Sequence, residues 1–161
     1  MELRQQIQKD LHDAMKNQEE SRISILRLLW DAIIKKEKEK RMNFKNDIGE
    51  NIDEKSQITE QELLQIISSL VKRAKDATIQ FKQGNRNDLA KKEEEEVIIL
   101  QEYLPEQLKE DEIRKLVGVA IKETNANSMK DIGKVMESLM PKIQGRADGK
   151  IIAKMVKEIL S

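Results

Sequence analysis

The feature that most constrains this chain is the spacing of its apolar residues. From Leu63 the set Ile66, Ile67, Leu70, Val71, Ala74, Ala77 and Phe81 recurs every three or four positions. That is the period of one face of an α-helix and not of a strand. The same spacing returns in Leu3, Ile7, Leu11 and Ala14 or Met15, in Ile23, Leu26, Leu29, Trp30, Ile33 and Ile34, and in Ile113, Leu116, Val117, Ala120 and Ile121. Aromatic residues make up only 2% and charged residues 37%, whereas a sheet protein would carry more aromatic and β-branched side chains. The expectation is an all-α protein with wide solvated helix faces.

Local signals place the helix ends. Asn17 breaks the first helix, and Ser21 is a possible cap for the second, which is expected to run on into solvent through KKEKEKR. Residues 43–57 have no helical period and read as a loop, the most mobile stretch of the chain. Thr59 to Glu62 fits a capping box flanked by a staple of Ile58 and Leu63, and Gly84 is the expected stop of the third helix. Asn87 or Asp88 opens a fourth helix, which ends before Pro105. Near the C-terminus, Ile132, Val135, Met136, Leu139 and Met140 form a stripe that the Ser128 hydroxyl can cap, stopping at Pro141. Asp148 is the natural N-cap of a closing helix with Ile151, Ile152, Met155, Val156, Ile159 and Leu160. The chain thus divides into a four-helix bundle, residues 1–104, and a three-helix bundle, residues 105–161, with the Leu104-Pro105 element as the joint.

Net charge is zero, but its distribution is uneven. Lys and Arg against Asp and Glu number 11 and 9 in residues 1–47, 12 and 17 in 48–124, and 7 and 4 in 125–161, giving +2, −5 and +3. An acidic middle argues against indiscriminate polyanion binding, so any RNA contact is expected to be local, and no DNA specificity is expected. There is no cysteine, hence no disulfide framework and no thiolate metal site. MELRQQIQKD lacks the apolar core of a signal peptide, and no apolar run is long enough to span a bilayer, which points to a cytoplasmic protein without membrane contact.

Chemistry-bearing residues are few. His12 is the single histidine and reads as a helix-surface residue. Glu93 to Glu96 point about 100° apart along a helix and do not converge on one ion; Lys91 with Glu95 and Lys92 with Glu96 fit i, i+4 pairs on a solvated face. Neither GxGxxG nor GxxxxGK[ST] occurs. No cofactor, metal site or catalytic residue is expected. The loop from Pro141 to Gly149 stands out: Lys142, Arg146 and the adjoining Lys150, with Lys134 upstream, supply cations, while Gly145 and Gly149 allow close backbone approach beside a helix N-terminus. Gly133 costs about 1 kcal/mol against Ala in a helix, so a packing or ligand reason for it is expected. Lys35, Lys36, Lys38, Lys40 and Arg41 are a rival cationic surface, diluted by Glu37 and Glu39.

The segment KDIGKVMESLMPKIQGRADGK, with EYLPEQL at Glu102 to Leu108, resembles the YqeY-like family. That family is related to the C-terminal tail of the B subunit of glutamyl/aspartyl-tRNA amidotransferase (GatB). The most specific parts are Gly133-Lys134-Val135-Met136, Gly145 to Lys150 and Tyr103-Leu104-Pro105, and the likeness spans essentially the whole chain. It departs at Lys109, where the family usually has a Ser-like cap. The resemblance implies two unequal helical bundles and a tail that holds tRNA while other domains, absent here, carry the glutamine-dependent carbon-nitrogen ligase chemistry. Taken with the cationic loop at a helix N-terminus, it makes Lys134, Lys142, Arg146 and Lys150 the expected phosphate contacts, with Gly133, Gly145 and Gly149 shaping their surroundings. Two other readings stay open: a protein-interaction adaptor using apolar residues around Leu104 and Leu108, and an accessory bound in trans to an amidotransferase.

Overall fold

The computed structural model describes residues 2–44 and 52–161, and every described element is helical. Chain contacts divide it into two units, Met1–Tyr103 and Leu104–Ser161.

The first unit holds α1 (Glu2–Asn17), α2 (Glu20–Asn43), the short α3 (Ile52–Ser56), α4 (Glu60–Gln83) and α5 (Asn87–Gln101). Its core is aliphatic, with Ile7, Leu26, Leu29, Ile33, Leu63, Ile67 and Leu100 fully buried. Helix α4 packs most extensively against α5, and α2 touches α1, α3, α4 and α5. The start of α4 forms as its residues dictate. The Glu62 amide donates to Thr59 Oγ1 at 3.2 Å, Glu62 Oε2 accepts from the Thr59 amide at 2.8 Å, and Ile58 and Leu63 are both buried.

Other helix ends depart from expectation. Residue Glu19, not Ser21, precedes α2, and Ser21 instead donates from its hydroxyl to Glu95 at 3.3 Å. The chain reverses before α2 through Gln18 at φ 57°. Gly84 ends α4 at φ −84°, and the left-handed residue is Asn85, which tolerates that region. Arg86 precedes α5, so Asn87 is its first residue rather than its cap. Of the expected loop over 43–57, Asn43 ends α2 and Ile52–Ser56 is helical, Phe44 and Gln57 are non-helical as expected, and residues 45–51 lie outside the described residues. Helix α3 has no apolar period of its own to announce it and is held by α2, with the Asp53 carboxylate paired to Arg41.

The KKEKEKR run does continue α2 but is not simply solvated. Arg4 grips Glu37 with two bonds of 2.8 and 2.9 Å, and Glu37 also accepts from the Ile58 amide at 3.3 Å. Lys40 donates to the Gln57 carbonyl at 2.7 Å and to Glu62 at 2.8 Å. The run is a clasp fastening the entry of α4 to α2. Of Glu93 to Glu96, two are held from outside their own helix: Lys82 of α4 pairs with Glu94 at 2.5 Å and Ser21 of α2 donates to Glu95, while neither expected i, i+4 ion pair occurs among the described residues.

The second unit comprises α6 (Glu110–Glu123), a 3-10 turn at Met129–Asp131, α7 (Ile132–Ile143) and α8 (Gly149–Leu160), each helix packed on the other two. Their shared core includes Ile113, Val117, Ala120, Val135, Leu139, Ile143, Ile152 and Val156. At Lys109 the box is half kept, because the Glu112 side chain still accepts from the Lys109 amide at 2.8 Å. Pro141 does not end α7, which runs on to Ile143. The proline gives up one backbone bond and crowds the carbonyl four residues back, a cost of up to about 3 kcal/mol, which burial of Ile143 at roughly 1.5–3 kcal/mol offsets.

Candidate nucleic-acid interface

The loop between α7 and α8 is built around one backbone constraint. Gly145 has φ 73°, a left-handed conformation that costs other residues about 1–2 kcal/mol. Its carbonyl accepts from Gln107 Nε2 at 2.6 Å, the Arg146 carbonyl accepts from the Leu108 amide at 2.8 Å, and Arg146 Nε donates to the Glu106 carbonyl at 3.2 Å. Three bonds therefore clamp the Gly145-Arg146 loop to residues 106–108. The two motifs singled out in the sequence, nearly forty residues apart, are one local structure. Leu108 is spent on this too, since it packs against the core of the second unit.

The loop cations then separate by circumstance. Lys142, in the last turn of α7, pairs with Glu123 at 3.0 Å and is partly exposed. Arg146 has no carboxylate partner and Lys150 no ion pair among the described residues. Lys134 is largely exposed, with Asp131 at 3.9 Å, and stands eight residues before Lys142, about 12 Å along the helix axis. It belongs to the other end of α7.

The helix N-termini themselves are occupied. Asp148 Oδ1 accepts from the Lys150 amide at 2.8 Å, capping α8 as its residue type predicts. Before α7 the Ser128 hydroxyl does not act as the accepting cap; it donates to Asp131 at 3.3 Å, and the same carboxylate takes the amides of Asn127 and Ser128 at 3.1 and 3.2 Å. The Asn127 amide, ahead of the other donors, holds the Asp131 carboxyl below its ordinary value. With carboxylates in both places, an anion would be gripped by side chains rather than by helix-end amides.

A ridge missed in the sequence reading completes the surface. On α8, Ile152, Met155 and Val156 are buried, while Lys150, Lys154 and Lys157 are exposed on the opposite side. At 100° per residue these three lysines fall within an arc of about 60° and span about 10 Å. Lys154 lies 4.0 Å from Glu158. The signal was present: lysines at i, i+4 and i+7 run in antiphase to the apolar set.

Gly133 and Gly149 have a different status from Gly145. A Cβ built at either meets nothing within 4 Å, so no packing reason exists for them. His12 is exposed on α1, and among the described residues no group of His, Cys, Asp or Glu is arranged to hold a metal ion. No described helix is long and apolar enough to cross a membrane.

Every described element is helical, and in the smaller unit residues 106–108 are bonded to the Gly145-Arg146 loop. The chain belongs to the Yqey-like protein family, whose model matches residues 4–160. It is also similar to the protein described as "Altered inheritance of mitochondria protein 41, mitochondrial" from Pyrenophora tritici-repentis (strain Pt-1C-BFP). The two are 27% identical over 157 residues, covering 96% of this chain and 78% of the relative.

Proposed function

We infer that the chain acts in the cytoplasm as a non-catalytic helical module whose C-terminal unit seats the phosphate backbone of a tRNA. The observation that carries this reading is the row of exposed Lys150, Lys154 and Lys157 continuing from the clamped loop that holds Arg146. Backbone recognition needs several cations at a spacing that tracks successive phosphates, and Arg146, Lys150 and Lys157 have no carboxylate partner among the described residues. Arg146 supplies planar donors and the lysines point charges. Gly145 sets the loop, and Lys142 and Lys134 join from the two ends of α7. The family likeness to the amidotransferase tail supports tRNA as the RNA and a tRNA amidotransferase as the partner carrying the chemistry.

Titration of fluorescently labelled tRNA at a series of salt concentrations tests this. Arg146→Ala/Lys150→Ala/Lys154→Ala is expected to weaken binding at least tenfold. It should also lower the slope of log K against log salt by about 2, since each lost phosphate contact removes roughly 0.7–0.9. Unchanged affinity and slope would remove the assigned surface.

A further inference from the structure

The N-terminal unit carries a trough along α1, of about 420 Å³, whose polar border is Gln5, Gln8, Lys9 and His12. Its apolar part is Leu11 and Met15 of α1 with Trp30 of α2. From Gln5 to Met15 the trough follows α1 for ten residues, about 15 Å or nearly three turns. That is the reach of a helix anchored at i, i+3 or i+4, and i+7.

Three observations say what it would hold. First, Met15 is 47% exposed although it is a large apolar side chain, and methionine adapts its shape to a partner. Second, Trp30 is half-buried and fixed in place. The Arg4 guanidinium sits 4.8 Å from its ring centre, and Arg4 is itself held by both carboxylate oxygens of Glu37. A rigid aromatic anchor loses little freedom on association, and tryptophan is among the side chains that dominate interface energy. Third, no carboxylate lines the trough. Of the acids on α1 beside it, Asp10 accepts from the Tyr103 hydroxyl at 2.7 Å, and Asp13 lies 4.0 Å from Lys16. The border therefore carries the charge of Lys9.

We propose that the trough along α1 is a docking groove for an amphipathic helix of a partner protein, bearing apolar anchors toward Met15 and Trp30 and acidic residues toward Lys9. One lysine is too little charge for a phosphate backbone, which separates this groove from the seat on α8. The inference does not depend on the tRNA reading. Together they make the chain a bridge, with a helix bound by one unit and a polyanion by the other.

Trp30 is the only tryptophan, so its emission reports on the groove directly. The probe is a synthetic helical peptide with Leu at i, i+3, i+4 and i+7 flanked by Glu, compared with the same peptide flanked by Lys, each titrated into the full chain. Expected is a saturable shift of Trp30 emission, at least tenfold tighter for the Glu peptide. It should be lost in Met15→Glu, with peptide preference inverted in Lys9→Glu and unchanged in Lys150→Ala/Lys154→Ala. Both α1 substitutions are at exposed positions, and far-UV circular dichroism checks that helix content is retained. Equal affinity for the two peptides, no saturable shift with either, or a shift that follows protein concentration alone and so reports a second copy in the groove, would each overturn the proposal. Saturable quenching by single-stranded RNA that outcompetes the Glu peptide would also overturn it.

Discussion

Gly145 and Gly133 bear the same absent side chain for opposite reasons. At Gly145 the backbone is left-handed, so Gly145→Ala is expected to destabilise the second unit by about 1–2 kcal/mol. For a unit this small that lowers its melting temperature by roughly 4–8 °C per kcal/mol. Gly133 sits in the first turn of α7 with open space where a Cβ would go, so Gly133→Ala should stabilise by up to about 1 kcal/mol. Thermal unfolding of both variants gives the two signs directly. A stabilised Gly133→Ala that also loses tRNA affinity would mean that bare backbone at this position touches the ligand; retained affinity would leave the glycine without a binding role. The sequence marks both residues as glycine and cannot separate them, because the distinction lies in φ and in the neighbouring space.

Among the elements, the clasp on α2 makes the clearest energetic claim. Burial pushes the Glu37 carboxyl up, but bonds from Arg4 and the Ile58 amide outweigh it and hold it below its ordinary value. Glu62 is likewise lowered against burial by Lys40 and by the amide and hydroxyl of Thr59. A carboxylate whose folded value lies below its unfolded one contributes stability above the unfolded value, about 4.3 for Glu. That contribution is lost as pH falls through the folded value. Urea midpoints followed by Trp30 emission should therefore stay level from neutral pH to about 5 as far as these groups are concerned, then fall steeply below about 4.3. Glu37→Gln/Glu62→Gln should start lower at neutral pH and fall less; a parallel fall would show the clasp to be energetically idle. How much of this was legible depends on range. The capping box at Thr59 and the cap at Asp148 are written within four residues and appear as read. Arg4 with Glu37, Lys40 with Glu62 and Lys82 with Glu94 lie twelve to thirty-three residues apart. So the KKEKEKR and Glu93 to Glu96 runs read as solvated faces. Helix α3 and the last turn of α7 were hidden for the same reason, since packing against neighbouring helices sustains them where local propensity does not.

At the scale of the molecule, the second unit contains everything its proposed task requires: its own core, the clamp of residues 106–108 on the Gly145-Arg146 loop, and the lysine ridge of α8. Its core is small, and a unit of this size buries only about 60% of the surface that its unfolded chain exposes, so its margin is a few kcal/mol at most. The clamp should matter disproportionately there. Residues 104–161 expressed alone are expected to unfold in one cooperative thermal step and to bind labelled tRNA with the salt slope of the full chain. The same fragment beginning at residue 109 loses the Gln107 and Leu108 bonds and the Leu108 packing. It should melt at least several degrees lower and bind more weakly, although every lysine of the ridge remains. A shorter fragment that binds as tightly as the longer one would place the affinity in the lysines alone and leave the clamp with no part in presenting Arg146. A longer fragment that fails to fold cooperatively would mean that the second unit does not stand by itself.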